Sequence, residues 1–114
     1  MFARSYALTL GEDIADLGGE VLAYEAWKSA VGDRKLTDRD GFTPDQRFFI
    51  GFAQWACENA RAEQQREWAL TNVRSPARYR VNGVVVNMPE FAQAFSCKPD
   101  APMTKPAAKV CSIW

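Results

Sequence analysis

The segment Thr43-Pro44-Asp45-Gln46, followed by Arg47-Phe48-Phe49-Ile50-Gly51-Phe52-Ala53-Gln54-Trp55-Ala56-Cys57, most restricts what this chain can fold into. Threonine offers a helix cap, proline suits the first helical position, and Gln46 closes a capping box. The body that follows is apolar on almost every side, which is the pattern of a helix buried all round. A helix of that kind needs neighbours on every face. With 114 residues the chain has material for one modest core and little with which to wrap such a helix. The expectation is a helix that evolved at the centre of something larger.

The remaining elements follow from spacing and punctuation. Residues 1–8 carry no strong period and are expected to form an irregular lead-in. Thr9 then offers an N-cap with Glu12 three positions on, and Ile14, Leu17, Val21 and Tyr24 recur at helical spacing. A helix is predicted over residues 10–31, stopped at Gly32. The pair Gly18-Gly19 costs about 1 kcal/mol per glycine inside a helix, so a close approach by another element is expected there. Residues 33–41 alternate charge and read as a solvated loop. Residues 58–70 favour helix, with Ala62, Trp68 and Leu70 as inward positions, and 71–76 break it as a loop. Tyr79-Arg80-Val81-Asn82-Gly83-Val84-Val85-Val86 predicts a short strand or hairpin around Asn82-Gly83. Asn87, with Glu90, is expected to cap a short helix over 89–95. The tail from 98 to 109 contains Pro99, Pro102 and Pro106 and should be irregular. The class is mainly α: one small helical domain spanning 1–114, with a short strand or hairpin near 79–86 and a proline-containing tail.

Composition excludes several classes. Fourteen basic and fourteen acidic residues cancel, so no global field favours nucleic acid or an anionic membrane. No apolar run approaches the roughly 20 residues that span a bilayer. Residues 1–6 lack the apolar stretch of a secretory signal, so the chain is expected to be soluble and to stay where it is made. Cys57, Cys97 and Cys111 form no CxxC pair, which argues against a thiolate metal site. They are either three reduced thiols or thiols whose partners lie elsewhere. The chain contains no histidine.

In a helix, Glu12 and Asp16 share one face. Glu12 is explained as a capping-box residue near a helix N-terminus, and Asp16 as a solvated carboxylate. A longer set of motifs adds a second reading. Leu10-Gly11-Glu12-x-Ile14-Ala15-Asp16-x-Gly18-Gly19, Tyr24-x-Ala26, Asp45-Gln46-Arg47-Phe48-Phe49 and Phe52-Ala53-Gln54 occur in that order. Ser75-Pro76, Tyr79-Arg80-Val81-Asn82-Gly83, Asn87-Met88-Pro89-Glu90-Phe91 and Ala94-Phe95-x-Cys97 follow, with a cysteine and a terminal tryptophan at the end. From about residue 8 onward the chain resembles the neprilysin and endothelin-converting-enzyme family of zinc metallopeptidases, in the C-terminal part of the catalytic domain.

The resemblance implies that Glu12 is a zinc ligand, at about 2.0–2.2 Å from the metal. It implies that Asp16 orients a zinc-binding histidine, and that Arg80 binds a substrate backbone carbonyl through its planar fork of donors. Read without the resemblance, Arg80 is a surface ion-pair partner. Where relatives carry an oxyanion-stabilising histidine before Ser-Pro, this chain has Arg74, a cation with a longer reach. The His-Glu-x-x-His helix, which supplies two zinc ligands and a general base, does not occur. Cysteines at the positions of Cys57, Cys97 and Cys111 typically bond, in relatives, to cysteines outside this segment.

The chain is therefore expected to be a C-terminal piece of a zinc endopeptidase, cut between its zinc ligands and inactive alone. Zinc would be bound in the intact enzyme and not by this chain. Its expected partners are the missing N-terminal part of the peptidase domain and, in the intact enzyme, a peptide substrate. An alternative from another class is a stand-alone non-catalytic interaction module, its apolar central helix and any exposed core face covered by a partner or a second copy. Relatives are commonly membrane-anchored, extracellular or periplasmic, so the resemblance leaves localisation open.

Overall fold

The structure, a computed structural model, describes residues 2–113, with side chains from residue 7 onward. It contains five α-helices: α1 (Phe2–Val31), α2 (Pro44–Trp55), α3 (Ala62–Thr71), α4 (Ala77–Val85) and α5 (Pro89–Ala94), then a 3-10 turn at Ala107–Lys109. The mainly helical class holds. Among the described residues the one β feature is an isolated bridge between Arg39 and Phe42.

The α1 helix departs from expectation at its start. Residues 2–8 are helical rather than irregular, and Thr9 lies inside the helix, 6% exposed, instead of capping it. The Thr-x-x-Glu pattern is thus a capping box in composition only. Its C-terminus behaves as the sequence implies. Gly32 adopts φ +55° and its N–H donates to the Lys28 carbonyl, while the Arg34 guanidinium donates to the carbonyls of Val31 and Ala30. Gly18 is buried, but a Cβ at Gly19 would meet nothing within 4 Å, so the expected close approach is absent at that glycine.

The α2 helix starts where its signals place it. Gln46 N–H donates to Thr43 Oγ1 at 3.2 Å and Thr43 N–H donates to Gln46 Oε1 at 3.0 Å. Gln46 Nε2 also reaches the Ala94 carbonyl at 3.0 Å and ties α2 to the end of α5. The core forms where α2 meets the second half of α1. Tyr24 stacks on Phe49 at 5.5 Å between centroids, Trp27 stacks on Phe48 at 5.2 Å, and Phe91 meets Phe49 edge-on at 5.5 Å. Yet α2 is not buried all round. Phe49 is its one buried residue, and Trp55 is 51% exposed.

The hairpin expected at 79–86 is a helix. The Asn82-Gly83 pair sits mid-element in α4, because Val81, Val84, Val85 and Met88 recur at helical spacing and place Val84, Val85 and Met88 in the core with Leu17 and Tyr24. Tertiary packing of that stripe outweighs the β-branched composition and the turn dipeptide. Asn87 does not cap α5, whose N-cap is Met88. Its side chain instead donates to the Gly83 carbonyl and accepts from Lys105 Nζ and from the Cys111 N–H. That clamp fastens the proline-containing tail to the end of α4. In α3, Trp68 is half-buried, whereas Ala62 and Leu70 face solvent, contrary to the inward reading. No helix among the described residues is long and apolar enough to cross a membrane.

Candidate functional site

The candidate site lies along the middle of α1, where the start of α4 and the loop before it pack against it. Glu12 and Asp16 are one helical turn apart on the same face, and Asp13 sits beside them. The segment Arg74-Ser75-Pro76 opens α4, with Arg80 one turn in. Three contacts join the two strips. Arg74 Nε lies 3.3 Å from Glu12 Oε2, Ser75 Oγ donates to Asp13 Oδ2 at 3.0 Å, and Arg80 donates to Asp16 twice. In that last pair Nε reaches Oδ2 at 2.7 Å and Nη2 reaches Oδ1 at 2.8 Å.

These pairs differ in weight. The Arg74 and Glu12 side chains are 53% and 40% exposed, so their contact is screened and worth under about 1 kcal/mol. The Arg80 and Asp16 side chains are 16% and 15% exposed, with parallel bidentate geometry. Hydrogen bonding to the Asp16 carboxylate holds the Arg80 guanidinium above its ordinary range, against burial, which acts the other way. Arg80 is therefore a fixed cation. Its guanidinium also lies 4.5 Å from the centroid of the Trp55 ring.

Around this seam the surface is concave. A groove of about 680 Å³ is lined by Leu10, Ile14 and Leu17 of α1, Val84 and Tyr79 of α4, and Trp68 of α3, with Arg74 and Arg80 at its edge. A smaller cleft of about 190 Å³ lies between Trp55, Trp68, Arg74 and Arg80. Arg80 borders both.

The residues singled out in the sequence, Glu12, Asp16, Arg74 and Arg80, thus converge on one seam. Their pairings differ from the roles the resemblance implies. Asp16 is engaged with Arg80, and Arg74 is set against Glu12. Asp13, Ser75 as its partner, and Trp55 were not marked by spacing. Only the packing of α1, α2 and α4 brings them together, although Ser75-Pro76 belongs to the ordered motifs and a tryptophan stands at the end of the apolar run of α2.

Zinc requires a nearly complete set of nitrogen, sulfur or oxygen donors in tetrahedral array. The chain has no histidine, and the described residues hold no cluster of three or more His, Cys, Asp or Glu side chains able to surround an ion. Glu12 offers one carboxylate, already paired with Arg74. This donor set does not fit a zinc ion by itself. Cys57 and Cys111 are exposed, Cys97 is half-buried, and all three are free thiols.

Residues 3–111 match the sequence model of Peptidase family M13. Human endothelin-converting enzyme-like 1 is 45% identical over 109 residues, a stretch that takes in 93% of this chain and 14% of that protein. Human endothelin-converting enzyme 1 is 40% identical over 109 residues, and neprilysin-1 of Caenorhabditis elegans is 39% identical over 112 residues. Among solved structures, the Mycobacterium tuberculosis zinc metalloprotease Zmp1 in its open state is similar at TM-score 0.89 and 34% identity, covering 95% of this chain and 17% of Zmp1. The inhibitor complex of Zmp1 is similar at TM-score 0.90 and 34% identity. The chain spans about one seventh of the length of the human relatives, 14%.

Proposed function

The chain belongs to Peptidase family M13, the zinc metallopeptidases that include neprilysin and the endothelin-converting enzymes, and from that premise we propose that it is the part of a zinc metalloendopeptidase that supplies one metal-binding carboxylate and the substrate-binding arginine. In this reading Glu12 is the zinc ligand contributed by this part, and Asp16 orients a histidine contributed by the remainder. Arg80 donates to a backbone carbonyl of a bound peptide, and the reaction of the assembled enzyme is peptide-bond hydrolysis. What carries the reading is the alignment of Glu12 and Asp16 on α1, with Arg80 docked bidentately on Asp16, in a fold that superposes on Zmp1. Arg74, paired with Glu12, adds a cation at the seam.

Alone, this chain neither holds zinc tightly nor cleaves peptides, because its donor set is incomplete. Elemental analysis after dialysis against zinc is expected to give far less than one metal per chain, and a quenched fluorogenic oligopeptide is expected to stay intact. Zinc near one per chain overturns the proposal. The positive half is tested by a chimera in which this segment replaces its counterpart in Zmp1. Substituting Glu12→Gln in the chimera should abolish zinc retention, whereas unchanged zinc content removes Glu12 from the metal site.

The groove-lining surface favours a partner. Leu10 is 57% exposed and Ile14 is 46% exposed on the face of α1 that borders it. The partner in this reading is the remainder of the peptidase domain. The competing reading, an interaction module that pairs with its own copy, predicts a stable symmetric dimer by light scattering.

A further inference from the structure

Arg80 is held from a second side that neither the motifs nor the family match points to. Asp16 fixes one edge of the guanidinium through two hydrogen bonds, at 2.7 and 2.8 Å. The face is fixed separately, by the Trp55 ring whose centroid lies 4.5 Å from Arg80 Cζ. An ion pair alone lets a guanidinium rock about its hydrogen-bonded edge, and a ring lying over its face restricts that freedom. Trp55 is itself anchored. It ends α2, its ring meets Phe52 at 6.1 Å between centroids, and Phe52 packs against the core. A continuous path therefore runs from the core through Phe52 and Trp55 to Arg80 and on to Asp16. Trp55 remains 51% exposed, so burial of apolar area is a poor account of why the largest side chain stands there. An indole is, however, the aromatic face that attracts a cation best.

We propose that Trp55 is a positioning residue for Arg80. Stacking sets the plane of the guanidinium, so that the N–H donors not used by Asp16 face the cavities Arg80 borders, ready for a peptide carbonyl. The inference rests on the reading of Arg80 as the substrate-binding group, and the two are tested separately.

The test uses the 114-residue chain with isotopically labelled arginine, the Arg80 side-chain signals being assigned by Arg80→Lys. In the unmodified chain the Arg80 Hδ protons should lie upfield of free arginine, shifted by the indole ring current, and normal positions overturn the proposal whatever any variant does. Trp55→Phe should keep the upfield shift. Trp55→Leu, which retains apolar bulk without a π face, should lose it, and its Arg80 Nε–H should exchange with water roughly twofold to fivefold faster. Helical circular dichroism reports whether each variant keeps its fold. A folded Trp55→Leu chain indistinguishable from the parent overturns the proposal. Titration with N-acetyl-alanyl-alanine amide then addresses the substrate role. The parent should show shifts at Arg80, and Trp55→Leu should need several-fold more peptide for the same shift. An unresponsive Arg80 in a parent chain that shows the ring-current shift removes the substrate reading and leaves the stacking intact.

Discussion

Glu20 sits on the inward face of α1 between Leu17 and Tyr24, 8% exposed, and its Oε1 finds no hydrogen-bond partner among the described residues. Burial pushes its carboxyl up to about 7. Among the described residues no ion pair compensates it: Asp16, one turn earlier on α1, and Arg80, on the α4 helix, are committed to each other. Because the folded-state value is raised, the folded chain holds this proton while the unfolded chain releases it. Stability from this group is therefore complete below about pH 4.5 and is lost as pH rises through about 7. Glu20→Gln carries no such proton. Relative to the parent, it should be level near pH 4 and more stable by about 2–3 kcal/mol at pH 8, read from urea midpoints at the two values. Parallel pH profiles for parent and variant would show that the carboxyl reaches water or a partner in solution.

At the scale of elements, α4 is where local chemistry and packing disagree most. Gly83 lies in its interior, a Cβ there would meet nothing within 4 Å, and its φ is not in the left-handed region. Glycine at such a position lowers helix stability without serving a turn or a contact. Gly83→Ala should stabilise the chain by about 0.5–1 kcal/mol, seen as a higher urea midpoint with unchanged slope, and a destabilised variant would reveal a neighbour pressed against that position. The same residue explains what the sequence could and could not disclose. The start of α2 was legible because Thr43, Pro44 and Gln46 act within one turn of each other. The α4 helix was misread because Asn82-Gly83 and four valines satisfy hairpin rules locally, and only α1 and α2 decide between strand and helix. The start of α1 was misread for a related reason. A Thr-x-x-Glu pattern marks a helix end only if the chain before it is not already helical. At the candidate site, the ordered motifs single out Glu12, Asp16 and Arg80, which the fold brings onto one seam. That Arg80 meets Asp16 and Trp55 was not legible, because that juxtaposition depends on how three helices pack.

Over the whole molecule, core and candidate site occupy different lengths of one long helix. At about 1.5 Å per residue, α1 accounts for most of the 47 Å long axis. Its second half, from Leu17 to Trp27, carries the aromatic core against α2 and α5. Its first half presents Leu8, Leu10 and Ile14 at 38%, 57% and 46% exposure. The core is correspondingly thin, with Leu17, Tyr24, Phe49, Val84, Val85 and Met88 its buried apolar members among the described residues. Leu10 and Ile14, one turn apart on α1, form an apolar strip along a groove of about 680 Å³, which suits binding better than singly scattered exposure does. The consequence is measurable without knowing the partner. The parent chain should bind a hydrophobic dye and associate as its concentration rises. Replacing Leu10 and Ile14 together by glutamine, a good helix former, should lower dye binding several-fold and suppress association, because these two side chains supply the exposed floor of the groove. Neither contributes to the core, so helical circular dichroism and the urea midpoint should stay within about 0.5 kcal/mol of the parent. Undiminished dye binding would place the sticky surface elsewhere, at Leu36, Phe42 and Leu70, and would separate the partner-binding face from the seam that carries Glu12, Asp16 and Arg80.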